Sequence, residues 1–275
     1  MILALAGPED DLVRDVLALA ANRGLEVLRW DEPESPRLCW ELPAPAPPAY
    51  CAIGDRQVPI TALSGVLVRA LPAAPLSYGT ETDDEYLSKE WLAALLGFLR
   101  AMPCPVINRP RPLRSFRQPL LPAWAAEIAA AGLRLPDMLV TGSPEDAAEF
   151  RARHAGRVLT VMPPGRFAAE HDARPACLLA TPTGLCRHVF VAGAEVYATP
   201  AEAGLPDSLA ARCRRAARRL GLEFAEFQVV SDDAGDTAMA VSDFPDTSAC
   251  PPEVRERMAR ALLDVLAGAR REVLA

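Results

Sequence analysis

The sequence predicts a mixed α/β (α+β) protein, and three observations support that class. A continuous apolar run opens the chain and is followed by an amphipathic helix and a second apolar run, which is the pattern of a β-α-β unit. Short apolar runs then alternate with helical patterns along the rest of the chain. With 275 residues, 51% of them hydrophobic, the chain is long enough for a substantial core divided among two or three subdomains.

The first predicted segment, residues 1–72, is a small α/β unit. Its opening run, MILALA, is a strand, and PEDDLVRDVLALAANRG is a helix with apolar residues at helical spacing. Asp10 suits the start of that helix and Gly24 suits its end. The run LEVLRW and the residues Gly65–Val68 supply further strands, so we expect a sheet that is covered on both faces.

The second predicted segment, residues 73–134, is a linker with two helices. An apolar stripe from Tyr86 to Leu99 predicts a helix over Glu85–Met102, and a shorter helix over Ala123–Ala131 ends at Gly132. Between them, PCPVINRPRPLRSFRQ combines a short strand with a cationic, proline-rich turn. The arginines of this turn are Arg109, Arg111, Arg114 and Arg117.

The remaining chain divides into segments at residues 135–200 and 201–275. The first contains a strand, a helix that Ser143 caps with Asp146 at capping-box distance, the strand Val158–Val161, the run ACLLAT and a hairpin in RHVFVAGAEVYAT. The second contains a basic helix, the strand EFAEFQVVS, a turn at DDAGD, its partner strand and a closing helix over residues 251–272. In the basic helix we favour a solvated arginine face over a dock for an acidic peptide.

Charge and cysteine usage limit the function classes. The net charge is −7, which predicts no general attraction to nucleic acid or to an anionic membrane. The N-terminal MILALAG runs into PEDD rather than a signal-peptide cleavage region, so we expect a cytoplasmic location. The seven cysteines are scattered singly without C-x-x-C pairs, which indicates reduced thiols. Cys186 and His188 could converge on one strand face, but we favour a plain strand over a metal site there.

The order of these elements resembles the ATP-grasp ligases. The resemblance is greatest to their peptide-modifying branch, the graspetide synthetases and the ribosomal protein S6 modification-type glutamate ligases. It rests on the order of MILALAGPEDDLVRDVLALAANRGLEVLRWD, ITALSGVLVRALP, PVINRP, AAAGLRLPDMLVTGSPEDAAEFRARHAGRVLTV, HVFVAGAEVYA and ARRLGLEFAEFQVVSDDAG. It implies a pre-ATP-grasp domain at residues 1–72, followed by a lid-like α+β subdomain at 135–200 and a C-terminal α+β subdomain at 201–275 that enclose a cleft.

The nucleotide-binding residues of that family are largely replaced. The family grips ATP phosphates with two lysines, but the only lysine of this chain is Lys89, upstream of both positions. The second position falls at Met162, where the nearby Arg166 is the candidate cation, and two prolines beside Gly165 remove donors that would cradle phosphate. An arginine of the family falls at His188 or, with a shift of one residue, at Arg187. These correspondences make Arg166, His188 and Arg187 the candidate cofactor-binding residues.

The metal-binding carboxylates of the family are also replaced. Gln228 stands at the position of the first carboxylate and Val241 at that of the second, while the asparagine that follows corresponds to Asp243. We therefore expect Asp243 and Asp246 to be the candidate magnesium ligands. Glu226 lies on the same strand face as Gln228 by alternation. Ala180 stands where the family has a glutamate near the nucleobase, so Met162, Ala180 and Val241 predict a cleft of low polarity.

Two functional hypotheses follow. The first is a catalytically silent homologue that needs no cofactor and binds an acidic peptide or a partner ATP-grasp or maturation protein, as a monomer or homo-oligomer. The second is an active ligase with relocated ligands that uses ATP and magnesium to join a carboxylate to an amine or hydroxyl. We favour the first, because losing both lysines and both carboxylates removes most of the electrostatic stabilisation of phosphoryl transfer. The arginines of the linker, at positions 109, 111, 114 and 117, are the expected peptide-binding residues.

Overall fold

The computed structural model describes residues 1–7, 9–30, 37–39, 50–53, 56–71, 80–110, 121–161, 176–200 and 204–268. The chain forms two compact units. Unit 1 comprises Met1–Arg114 together with Asp246–Ala275, and unit 2 comprises Ser115–Pro245. No described helix has the length and apolarity needed to cross a membrane. The division of the chain into four segments stays a prediction.

Unit 1 is built on a parallel sheet, as the β-α-β pattern predicts. Its order is β2-β1-β6-β7, made of β1 (Ile2–Leu5), β2 (Val27–Trp30), β6 (Gly65–Val68) and β7 (Val106–Ile107). A separate antiparallel sheet contains β3 (Arg37–Cys39), β4 (Tyr50–Ile53) and β5 (Arg56–Pro59). The helices are α1 (Asp11–Asn22), α2 (Glu81–Ala101) and α6 (Pro252–Leu266).

Ion pairs and one close backbone approach fix the helices of unit 1. Asp10 caps α1 by accepting a hydrogen bond from the backbone N–H of Val13, as the sequence predicts for the start of this helix. Arg255 of α6 donates from Nε to Asp15 of α1 at 2.6 Å, and its side chain is 10% exposed. A Cβ at Gly65 would lie 2.6 Å from the carbonyl oxygen of Leu266, so only glycine allows α6 to approach β6 this closely.

Helix α2 begins four residues before the predicted start. Thr80 caps it by accepting a hydrogen bond from the backbone N–H of Asp83, and acidic residues occupy the first turn, where they favour the positive end of the helix dipole. The predicted stripe is also wrong at its N-terminal end, because Tyr86 is 62% exposed. Leu95, Phe98 and Leu99 bury the C-terminal half of the helix instead.

The described residues of unit 2 form two antiparallel sheets and three helices. The smaller sheet, β8-β10-β9, joins β8 (Met138–Thr141), β10 (Ala176–Ala180) and β9 (Val158–Val161), and α4 (Pro144–Arg153) packs on one of its faces. The larger sheet, β12-β11-β13-β14, joins β12 (Glu195–Thr199), β11 (Leu185–Ala192), β13 (Phe224–Asp232) and β14 (Gly235–Ser242). The other helices are α3 (Leu121–Ala130) and α5 (Asp207–Leu220). The larger sheet joins strands from both sides of residue 200.

The two faces of the larger sheet differ in chemistry. One face packs on α3 and α5, and we call it the helix face; its members include Val189, Val191, Ala225, Phe227, Val229 and Val241, all of which belong to the buried core. The opposite face, which we call the open face, follows from the pairing register and carries Cys186, His188, Phe190, Glu195, Tyr197, Thr199, Phe224, Glu226, Gln228, Ala240 and Ser242. Polar side chains are therefore concentrated on the open face.

Candidate ligand-binding site

A histidine and a glutamate on neighbouring strands form the centre of the open face. Nδ1 of His188 on β11 lies 2.7 Å from Oε1 of Glu226 on β13. The Glu226 side chain is 10% exposed, whereas that of His188 is 40% exposed. Because an ionised carboxylate can only accept, Nδ1 is the donor and the other ring nitrogen, Nε2, is left to meet a ligand.

The residues at the predicted metal position divide between the two faces. Gln228 is exposed on the open face, directly opposite His188 on one side and Ala240 on the other. Val241, which the family resemblance places at the second carboxylate, is completely buried on the helix face opposite Phe227. The residues of β14 nearest to Gln228 on that face are therefore Ala240, directly opposite it, and Ser242. Neither side chain can bring a carboxylate to a metal.

The two predicted magnesium ligands fall in different units. Asp243 follows β14 at the end of unit 2 and is 6% exposed. Asp246 belongs to unit 1, is exposed, and accepts a hydrogen bond from the backbone N–H of Ser248 at 2.9 Å. Within the described ranges, no group of three histidine, cysteine or acidic side chains lies close enough to hold a metal ion. Their role as magnesium ligands stays a prediction.

Arg187 lies on the helix side of β11, so its side chain and that of His188 point away from each other. The guanidinium donates from Nε to the carbonyl oxygen of Gly204 at 3.1 Å and from Nη1 to Oγ of Ser231 at 2.8 Å. Ser231 in turn donates to Asp236 at 2.6 Å, and Asp236 also pairs with Arg212. Arg187 thus ties β11 to the β13–β14 turn, and its predicted cofactor role is untested.

Arg109 closes the C-terminal end of α2. Its Nη1 donates to the carbonyl oxygens of Leu99, Arg100 and Met102, and its Nη2 donates to that of Cys104 at 2.6 Å. The carbonyls of Leu99 and Arg100 are among those that the helix end leaves without intrahelical partners, and those of Met102 and Cys104 belong to the segment that follows. Burial lowers the pKa of the Arg109 guanidinium. The side chain has a structural task in unit 1, and its predicted part in peptide binding is untested.

Several predicted site residues lie outside the described residues. They are Arg111, Arg114, Arg117, Met162, Gly165 and Arg166. The single lysine of the chain, Lys89, is described: its Nζ pairs with Glu85 at 2.7 Å on α2, and its side chain is 71% exposed. Ala180 is half-buried and packs against the cluster formed by Ala147, Phe150 and Leu178 under α4.

The arginines of α5 make contacts within unit 2. Arg212 pairs with Asp236, Arg215 donates to the carbonyl oxygen of Ala131 at 3.1 Å, and Arg219 pairs with Glu127 at 2.8 Å. The alanines of the helix face inward, as predicted, with Ala216 and Ala217 in the core. The arginine stripe therefore fastens α5 to α3 and to the β13–β14 turn in addition to meeting solvent.

The contact between His188 and Glu226 does not follow from the sequence. Alternation places Glu226 on the face of Gln228, and the family resemblance gives His188 a separate role as a substitute for an arginine. The pairing of β11 with β13 sets Gln228 opposite His188, which brings Glu226, two residues away, within diagonal reach. Only a correct prediction of this register could have revealed the pair.

Comparisons with known proteins identify the fold. No protein-family model matches the sequence, and no curated protein sequence is significantly similar to it. Solved structures do match over nearly the whole chain. The macrocyclase MdnC bound with precursor peptide MdnA, from Microcystis aeruginosa MRC, has a TM-score of 0.78 at 13% identity and covers 97% of this chain and 99% of its own.

Two further structures give the same result. A RiPP-associated ATP-grasp ligase of Chryseobacterium gregarium, in complex with ADP and a leader and core peptide, has a TM-score of 0.76 at 15% identity over 98% of this chain and 96% of its own. A RimK domain protein ATP-grasp from Sphaerobacter thermophilus DSM 20745 has a TM-score of 0.62 at 18% identity over 97% and 99%. The chain thus has the ATP-grasp fold and is similar in structure to the graspetide-type ligases. The predicted fold class and the predicted family resemblance are confirmed.

Proposed function

We propose that this ATP-grasp-fold chain is a non-catalytic binding or regulatory partner in the modification of a ribosomally made peptide. It acts in the cytoplasm, binding an acidic peptide or a partner ATP-grasp or maturation protein. The cysteines at positions 51, 104, 177, 186, 213 and 250 are free, which agrees with a reducing compartment. The proposal requires that the nucleotide site of the fold no longer serves catalysis.

The observation that carries this proposal is the composition of the open face at the metal position. A hard dication that bridges to phosphate needs carboxylate oxygens. The facing pair on β13 and β14 is Gln228 and Ala240, an amide and a methyl group. Glu226 is the acidic residue nearest in sequence, and its carboxylate contacts His188. These residues fit a magnesium ion poorly.

The positions of the lysine and arginine side chains also support a non-catalytic function. The triphosphate of ATP carries about four negative charges, and enzymes that transfer its phosphoryl group stabilise that charge with fixed cations. The only lysine of the chain lies on α2 of unit 1, where it pairs with Glu85. Arginines could supply charge in its place, but their planar fork does not reproduce a lysine ammonium at the end of a strand.

The structural neighbours support the peptide part of the proposal. MdnC is bound with precursor peptide MdnA, and the Chryseobacterium gregarium ligase holds a leader and core peptide. This chain matches both over nearly its full length. A chain that keeps this fold without its metal ligands could retain the capacity to bind a peptide while losing the chemistry.

Isothermal titration of the full chain with Mg-ATP tests the catalytic half of the proposal. We expect no heat of binding up to about 1 mM nucleotide, which corresponds to less than about 4 kcal/mol of binding free energy. The protein should also release no ADP during prolonged incubation. Micromolar binding that is abolished by Arg166→Ala or Asp243→Ala would contradict the proposal.

Fluorescence anisotropy with a labelled glutamate-rich peptide tests the binding half. We expect binding that weakens as NaCl is raised from about 50 to about 500 mM, because exposed charge pairs are screened. Replacement of Arg111 and Arg114 by alanine should abolish it, since arginine forks bind carboxylates bidentately. The matched control is Arg214→Ala with Arg218→Ala on α5. Loss of binding in the control alone would show that the peptide binds to the basic helix α5 instead of the linker.

An active ligase with relocated ligands is the second candidate function. The observation that favours it is the buried carboxylate of Glu226 beside Gln228, with Asp243 also buried in unit 2. These two groups could replace the missing metal ligands, and Arg166 could bind phosphate. ADP release that depends on a peptide and disappears in both Glu226→Gln and Asp243→Asn would establish this function.

A further inference from the structure

Helix α2 contains a segment that is apolar on every side. Its residues 91–99 read WLAALLGFL, without a single polar side chain, whereas a helix at the surface of a globular protein usually keeps one polar face. The inner side of this segment packs within unit 1. Leu95, Phe98 and Leu99 are buried there, and the ring of Trp91 meets that of Trp30 edge-on at 6.3 Å. The core of unit 1 accounts for the inner side, but not for the apolar residues on the outer side.

The outer side of α2 is exposed. Five large apolar side chains are exposed among the described residues, and two of them belong to this helix: Tyr86 is 62% exposed and Leu92 is 38% exposed. Ala93 and Gly97 are exposed as well. Because Tyr86, Ala93 and Gly97 follow one another at spacings of seven and four residues, they lie along one line of the helix surface. We call these four residues the outer face of α2.

Small residues at the middle of the outer face allow a second helix to come close. Ala93 contributes only a methyl group, and Gly97 has no side chain. Glycine inside a helix lowers its stability relative to alanine, so local helix stability does not favour Gly97. Short side chains at a contact do permit a small distance between two helix axes. The outer face therefore has the shape of a helix-packing surface.

The charges of α2 indicate what kind of helix would pack there. The N-terminal half contains Lys89 and the acidic residues at positions 81, 83, 84, 85 and 90, whereas the last turn contains Arg100. Two copies of α2 that run in the same direction would bring their acidic halves together. Two copies that run in opposite directions bring the acidic half of each beside Arg100 of the other and also align the helix dipoles favourably. A second copy of α2 thus supplies the complementary charges.

We propose that the outer face of α2 binds the same face of a second copy of this chain, with the two helices antiparallel about a two-fold axis near Ala93. Residues seven positions to either side of the axis then face each other, so Arg100 of one copy lies opposite Tyr86 of the other. There the guanidinium can stack on the ring and reach Glu90, one helical turn away. This inference concerns assembly and does not depend on the proposed function.

Sedimentation velocity of the full chain tests the proposal. The chain has a mass of 29.5 kDa, and we expect the weight-average mass to rise towards twice this value as the concentration increases. A concentration series from about 1 to about 200 μM should give a Kd of about 1–50 μM, because one pair of helices buries less area than a standard interface. Raising NaCl from about 50 to about 500 mM should weaken the association a few-fold.

A glutamate at the two-fold axis should disrupt the dimer. Ala93→Glu brings two carboxylates against each other and should weaken association about tenfold or more. The matched control is Ala148→Glu, which makes the same replacement at an exposed position of α4 and should change the Kd less than about twofold. Thermal denaturation followed by circular dichroism establishes that both variants are folded.

An exchange of charges tests the antiparallel arrangement. Arg100→Glu should weaken association about fivefold, and the double variant Arg100→Glu with Glu90→Arg should return the Kd to within about twofold of the natural value. The two positions are ten residues apart on one helix and cannot contact each other within a copy. Restoration therefore requires that they meet between copies.

Three outcomes would overturn the inference. They are a single species of 29.5 kDa at about 200 μM, association that Ala93→Glu leaves unchanged, and equal loss of association in Ala93→Glu and Ala148→Glu. The first would assign the outer face to a different protein, and the second would place the dimer contact on another surface. If Ala93→Glu fails to fold, the charge exchange decides, and a double variant as weak as Arg100→Glu alone would contradict the antiparallel dimer.

Discussion

The two faces of the β12-β11-β13-β14 sheet show how one strand can serve both a core and a site. On β14, Val241 is buried on the helix face, while its neighbours Ala240 and Ser242 lie on the open face. On β13, Phe227 is buried on the helix face between Glu226 and Gln228 of the open face. A shift of one residue exchanges these environments completely. The register of a strand therefore decides whether a given residue lies in the candidate site or in the hydrophobic core.

The register of β14 could not be read from the sequence. Gln228 pairs with Ala240 and Val229 pairs with Ala238, so the partner strand contains one extra residue at this point. Counting along the chain assigns Val241 to the second metal position, although the pairing places it in the core. The irregularity between Gln228 and Val229 decides which side chains of β14 reach the open face, and a count along the chain does not include it.

Introducing a glutamate at the two adjacent positions should give the largest contrast between the faces. Val241→Glu buries a charge in the core of unit 2 and should lower the free energy of unfolding by about 4 kcal/mol or more. Ala240→Glu places the same group on the open face and should cost about 1 kcal/mol or less. Urea denaturation of both variants followed by circular dichroism measures the difference. Equal destabilisation would show that the two positions do not lie on opposite faces.

The network around Asp236 should give the next largest effect. Asp236→Asn weakens the acceptor shared by Ser231 and Arg212, and through Ser231 the anchor of Arg187. We expect a loss of about 2 kcal/mol in unfolding free energy, because partly buried charged donors lose their ionised partner. Asp233→Asn, an exposed position in the same turn, should change stability by less than about 0.5 kcal/mol. An equal effect of both variants in thermal denaturation would show that the network adds no stability.

Cys213 on α5 offers a smaller and pH-dependent test of the helix face. Burial raises the pKa of its thiol from 9.0 to about 12, with Asp236 adding to the rise and Arg212 opposing it. The folded state thus keeps a proton that the unfolded state releases above pH 9, so stability falls as pH rises. From pH 9 to pH 10 this loss should be about 1 kcal/mol.

The contribution of Cys213 is measured as a difference between proteins. Urea denaturation at both pH values should show the extra loss in the natural chain and a shallower loss in Cys213→Ala. A thiol reagent at pH 8 should modify the exposed Cys186 well before Cys213. Identical pH slopes in the two proteins would mean that the thiol is not held in its protonated form by the core.

The sequence was informative where patterns are local. Helical spacing predicted α1, the Ser143 cap predicted the start of α4, and alternation separated Phe227 from Gln228, because each depends on residues a few positions apart. Contacts between residues that are far apart in the chain could not be predicted from the sequence. The capping of α2 by Arg109 and the pairing of His188 with Glu226 depend on how elements pack, and neither leaves a pattern in the chain.

The most direct test of the central claim introduces the residue types that the family resemblance assigns to ATP and magnesium. The variant Met162→Lys with Gln228→Asp and Ala240→Glu has a lysine at the predicted phosphate position and two carboxylates on the open face of the larger sheet, and isothermal titration with Mg-ATP compares it with the natural chain. We predict no measurable binding by the natural chain and a Kd below about 100 μM for the variant. Micromolar binding by the natural chain, lost in Arg166→Ala or Asp243→Ala, would contradict the account and establish relocated ligands instead.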